Sequence, residues 1–162
     1  MFKILSKGRA TKMIAWLAGI IFLLAIDRIL KQWAIAELYN KKITIIKKIF
    51  SLELFKNENI AFSIYLPETI ILAVIIAVII LLIFILIWRL IKFSKQFTLI
   101  EAGLLLVIIG AVSNLSDRLQ FGFVVDYFNL TYWPVFNLAD VMISAGVLIL
   151  GWMLWQNKIK TV

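Results

Sequence analysis

From Ile70 to Trp88 the chain runs without one charged, hydroxyl or amide side chain. As an α-helix rising about 1.5 Å per residue, that stretch reaches roughly the 30 Å of a bilayer's hydrocarbon core. Three further apolar runs are less clean. The first extends from Met13 to about Ala36 behind Lys3, Lys7, Arg9 and Lys12, and is interrupted by Asp27, Arg28 and Lys31. Its basic start resembles a signal peptide, but no small-residue cleavage pattern follows Ile26, so a retained helix is expected. Another run, from about Phe97 to Leu119, collects Asn114, Asp117 and Arg118 at its far end. The last begins at about Asn137 and ends at Trp155, before Lys158 and Lys160.

Composition supports a membrane protein of one domain, residues 1–162, since 64% of the chain is hydrophobic, 16% is charged and the mean hydropathy is +1.03. The net charge of +8 is dispersed between apolar runs, which points to lipid headgroups as partners rather than nucleic acid. The chain contains neither Cys nor His. A disulfide framework, a thiolate nucleophile, the usual base of Ser or Cys hydrolases and the commonest transition-metal ligand are therefore all missing. Any chemistry must use carboxylates, Lys, Arg, Tyr or hydroxyls.

Four spans place both termini on one side. Lys and Arg number nine over the N-terminal segment, the short loop after the second span and the C-terminus, against five in the first long loop. The positive-inside rule then makes the termini cytoplasmic. Residues 40–66 show polar and apolar alternation and β-branched enrichment, and are expected to form short strands lying on the membrane surface. Residues 120–136, rich in Tyr, Trp and Phe, are expected as a loop half sunk at interfacial depth. The fold expected is an all-α membrane protein of four transmembrane helices, at about 13–36, 70–88, 97–119 and 137–155. A small extracytoplasmic β-rich loop domain and a second, interfacial outer loop complete it.

On this topology Asp27, Asp117, Asp126 and Asp140 converge on the outer leaflet, with Asn57, Asn114, Asn137, Lys31 and Arg118 at similar depth. Acids at a membrane boundary are costly and raise a functional suspicion. Each also has a structural reading. Asp27 and Lys31 are spaced to pair along one helix. Asp140 lies three residues after Asn137, as in an N-terminal cap, and the structural reading of Asp126, which ranks behind its functional one, is a solvated loop acid. Adjacent Asp117 and Arg118 face different directions and do not count as a pair. If Asp126 and Asp140 approach to about 3 Å, one must keep a proton, and the two can act as acid and base around a shared water.

The segments carrying these residues are Asp27-x-x-x-Lys31, NENIAFSI (57–64), GAVSNLSDR (110–118), GFVVDY (122–127) and FNLADVMISAG (136–146). In this order, on a four-span chain of this length, they resemble the bacterial lipoprotein signal peptidases, or signal peptidase II. The resemblance covers nearly the whole chain. It implies an aspartyl endopeptidase of the bacterial cytoplasmic (inner) membrane that removes the signal peptide of prolipoproteins before a diacylglyceryl-modified Cys. By resemblance the catalytic pair is Asp126 and Asp140. Asn57, Asn114, Arg118 and Asn137 match site-lining positions, Asp27, Lys31 and Asp117 match supporting ones, and Ala139 and Phe62 belong to the same substrate-binding or supporting set. No metal, no cofactor and a monomer are expected. Asn59, Ile60, Ser113 and Leu30 depart from the family's pattern, which bears on substrate fit more than on chemistry. The alternatives are a carboxylate and Mg²⁺ enzyme acting on lipid phosphates, or a small channel or transporter using the acids as an ion path.

Overall fold

A computed structural model describes residues 7–58, 67–92 and 97–159. Among these residues, four helices are long and apolar enough to cross a membrane. They are α1 (Lys7–Glu37), α2 (Glu68–Lys92), α3 (Leu99–Phe121) and α4 (Leu138–Ile159). Three strands, β1 (Lys42–Ile46), β2 (Phe50–Asn57) and β3 (Val124–Leu130), form one antiparallel sheet in the order β1-β2-β3. Asn59, Ile60 and Phe62 lie outside the described residues.

The central helix is α3. Half of its most apolar window is buried inside the protein, against 11% to 17% for the other three helices. Its ends are well defined. Thr98 caps the N-terminus reciprocally with Glu101, and Gly122 closes the C-terminus at φ 81°, a left-handed conformation that costs a glycine little. Glu101 also accepts a 2.8 Å bond from Arg89 Nε, which ties the end of α2 to the start of α3. The ion pair thus fastens the end of α2 to the capped start of α3.

Helices gain little from merely exchanging lipid for one another's apolar side chains, so close packing has to hold them together. Small residues make that possible between α3 and α4. A Cβ built on Gly110 would lie 2.6 Å from the Ala139 carbonyl oxygen, and one on Gly146 would lie 2.6 Å from that of Gly103. These backbones are in direct contact.

The sheet rests on the C-terminal part of α1. Ala34 and Leu38 are buried against Val125 and Tyr127, with Leu30, Trp33, Leu52 and Leu54 packed around them. The strands expected within 40–66 are present as β1 and β2, joined by a turn in which Lys48 takes φ 63°. The expectation for 120–136 needs correction. The segment is not loop throughout, because Val124–Leu130 form β3, paired with β2 from Phe50↔Leu130 to Asn57↔Val124. Val124, Val125, Asp126 and Tyr127 are all buried, so the strand has no alternating pattern to betray it. The reading of Asp126 as a solvated loop acid falls with it. The turn beyond β3 is exposed, Tyr132 by 97% and Trp133 by 67%.

The glycine contacts generate a test. Gly146→Ala should destabilise the protein by about 1–3 kcal/mol through overpacking against backbone that cannot move aside. Gly151→Ala, whose new methyl meets nothing within 4 Å, should leave the unfolding midpoint unchanged or slightly raised. Thermal unfolding in detergent, read for both variants, checks the pair.

Candidate active site

At one end of the helices, α1 presents Asp27, Arg28 and Lys31 to α3. Asp27, Lys31 and Asp117 are almost wholly buried. Lys31 Nζ sits 2.7 Å from Asp117 and 3.3 Å from Asp27, and donates a 2.8 Å bond to Asn114 Oδ1. The Arg28 guanidinium meets Asp117 at 2.5 Å and lies 3.6 Å from Asp27. Two acids and two bases thus neutralise one another where an isolated charge could not be tolerated. Ser113, which also donates to Asp27, fits this crowded point because it is small. Arg28 was not among the residues singled out from the sequence. Its only signal there was its place beside Asp27.

Each of these acids also holds a backbone amide. Asp27 Oδ1 accepts from Ala139 N at 3.0 Å, and Asp117 Oδ2 accepts from Val125 N at 3.2 Å. Ala139 immediately precedes Asp140, and Val125 immediately precedes Asp126. The neutral cluster therefore fixes the first turn of α4 and the start of β3 at the two positions from which the candidate carboxylates project.

Asn137 holds both carboxylates. Its side-chain amide donates to Asp126 Oδ1 at 2.7 Å, while its backbone N–H donates to Asp140 Oδ2 at 3.1 Å. Asp140 N returns a 2.9 Å bond to Asn137 Oδ1, completing a reciprocal helix cap. The cap expected at Asp140 is thus present, in the same residue as the candidate acid. Asn114 Nδ2 donates to Asp140 Oδ1 at 2.7 Å, and Asn57 Nδ2, at the end of β2, donates to Asp126 Oδ2 at 2.8 Å. Arg118 lies close enough to feel the charges of Asp126, Asp140 and Asp117.

Asp126 is 1% exposed. Burial pushes its carboxyl up to about 7, and the charge of Asp140 adds to the rise against the opposing bonds from Asn57 and Asn137. At neutral pH this group is poised between its two states. Tyr127, read from the sequence as one of several aromatics, has a more specific place. Its hydroxyl accepts from Leu138 N at 3.1 Å, so it helps to close the start of α4.

The structure brings Asp27, Lys31, Asn57, Asn114, Asp117, Arg118, Asp126, Asn137, Ala139 and Asp140 into this one region. Ala139 is completely buried, with its carbonyl against Gly110, so it supports the site from behind. Phe62 lies outside the described residues.

The fold and site define a multi-pass membrane protein with two carboxylates presented together at one end of its helices. Residues 19–156 match the family model for signal peptidase (SPase) II. The lipoprotein signal peptidase of Clostridium novyi is 35% identical over 138 residues, covering 82% of this chain and 91% of that protein. The corresponding protein of Halothermothrix orenii is 34% identical, covering 86% of this chain and 94% of its own. A solved bacterial membrane enzyme, 20% identical, superposes with a TM-score of 0.78 over 98% of this chain and 94% of its own, and so shares the fold. The chain belongs to the signal peptidase II family and is a multi-pass bacterial membrane protease.

Removing one member of the buried cluster should leave its partners uncompensated. Lys31→Met is expected to cost about 3–5 kcal/mol, because Asp27 and Asp117 lose a shared cation in a site that excludes water. Unfolding of the purified variant in detergent measures the loss.

Proposed function

We propose that this chain is an aspartyl endopeptidase that removes the signal peptide from diacylglyceryl-modified prolipoproteins, cutting before the lipid-modified Cys. The observation that carries this reading is the hold of one residue, Asn137, on both Asp126 and Asp140. Asp126 is tied to that residue through its side-chain amide and Asp140 through its backbone N–H, which supports a reading in which the two acids share a proton and a water. The carboxyl of Asp126, raised to about 7, can carry that proton at neutral pH.

In the forward step the ionised carboxylate takes a proton from water, and the water oxygen attacks the carbonyl carbon of the scissile peptide. The protonated carboxyl gives its proton to the carbonyl oxygen. Collapse of the tetrahedral diol breaks the C–N bond, the proton taken from water passes to the leaving amine, and a diol hydroxyl returns its proton to the other carboxylate, which resets the pair. No covalent intermediate forms, which suits a chain without Cys or His. Arg118 offsets negative charge developing on the oxygen. Asn57 and Asn114 orient the carboxylates and offer amides to the substrate backbone. Asp27 and Asp117 are engaged with Lys31 and Arg28, so they are poorly placed to bind Mg²⁺, and the lipid-phosphate reading loses support. The protein works as a monomer without a cofactor, in the cytoplasmic membrane, with both termini cytoplasmic and its site near the outer leaflet.

Asp126→Asn and Asp140→Asn should each lower the cleavage of a lipid-modified prolipoprotein by at least about 100-fold, the scale of acid–base catalysis, while inserting normally. Wild-type turnover should fall as pH rises through about 7, because deprotonating Asp126 removes the acid. Substantial turnover by either purified variant, or a rate that keeps rising with pH, would sink the dyad. A reporter fused after Phe128 should read as extracytoplasmic, and a cytoplasmic readout would overturn the orientation.

A further inference from the structure

The β1–β2 hairpin carries a surface that the site does not use. All five residues of β1 are exposed, so neither face of this edge strand packs on the protein. Ile43, Ile45, Ile46 and Ile49 are 41% to 57% exposed, an unusual concentration of large aliphatics at one hairpin end. Between them stand Lys47 and Lys48, both exposed and neither in an ion pair among the described residues. Lys48 occupies a left-handed position that Gly or Asn would fill with less strain. The turn between β3 and α4 is fastened beside this tip, since Thr131 donates through Oγ1 to the Lys48 carbonyl at 2.7 Å and through N to that of Ile49 at 3.1 Å. Tyr132 and Trp133 follow directly, and both are exposed.

Aliphatics, an aromatic pair and free ammonium groups at one end of a sheet match a single environment, the boundary of a bilayer. Tyr and Trp favour that depth, and lysines reach outward from it to headgroups. Zwitterionic lipid would accept the apolar part alone. The two unpaired lysines add an attraction that only a negatively charged surface can answer. We infer that the tip formed by Ile45 to Ile49 and by Tyr132 and Trp133 docks on the anionic headgroups of the protein's own membrane. This contact is distinct from the peptide-cutting site and independent of its chemistry. Since β2 runs from Phe50 at the tip to Asn57 on Asp126, the contact also sets the level at which the sheet sits over the site.

The chain has no Cys, so Ile46→Cys creates one labelling position for an environment-sensitive fluorophore. The full-length protein would be placed, one copy per nanodisc, in phosphatidylcholine or in phosphatidylcholine mixed with phosphatidylglycerol. Quenching by a lipid-borne spin label should be at least about two-fold stronger in the anionic discs, and high salt should weaken it. Lys47→Gln combined with Lys48→Asn, which keeps a residue tolerant of the left-handed turn, should abolish the difference. A probe at Tyr132→Cys repeats the measurement should Ile46→Cys disturb the hairpin. Equal quenching in both lipids, or a difference that survives loss of the lysines, would overturn the inference. So would quenching seen only in discs holding two copies, which would assign the surface to a second copy of the chain.

Discussion

Everything at the polar end of this protein depends on the mutual neutralisation of Asp27, Asp117, Lys31 and Arg28. Inside a membrane protein none of these charges is tolerable alone, and together they form a cluster with close contacts between opposite charges. The cluster does more than survive burial. Its acids turn their remaining lone pairs to the amides of Val125 and Ala139, and thereby fix the backbone immediately before Asp126 and Asp140. Residues on α1 and α3 thus set the positions of carboxylates on β3 and α4.

That arrangement in turn requires α3 and α4 to run close together. Gly103, Gly110 and Gly146 remove the side chains that would keep the two backbones apart. Ser113 extends the same economy of volume to the polar end, where its hydroxyl also bonds Asp27. At the opposite end, the Thr98–Glu101 cap and the Arg89 contact secure α2 to α3. A polar fastening at each end, with small residues between, suits helices whose outer surfaces face hydrocarbon. It also explains why the central helix, far less apolar than α2, is the most buried of the four.

Several of these features were legible in the amino-acid sequence, for identifiable reasons. Span two declares itself because lipid accepts no unpaired backbone and the run has no polar interruption. Asp140 three residues after Asn137 reads as a cap because helix-end geometry is local. β1 and β2 were visible through alternation. β3 was not, since VVDY is buried without a break and its pairing partner lies about seventy residues earlier in the chain. Arg28 was passed over because nothing local distinguishes a base that meets Asp117 across two helices from one that faces headgroups. Tyr127 was hidden among other aromatics for the same reason, as its partner is a backbone amide on another element.

The sequence by itself determined the membrane class, the number and approximate limits of the spans, the gathering of acids toward one end of them and the resemblance to signal peptidase II. These follow from hydropathy, helical rise and short motifs, all properties of neighbouring residues. Only the tertiary structure decided which acid meets which base, that Asp126 lies in a buried strand, and that one asparagine holds both candidate carboxylates. Those outcomes turn on distances between elements far apart in the chain. Burial and charge act through space, and a linear pattern does not record who stands beside whom.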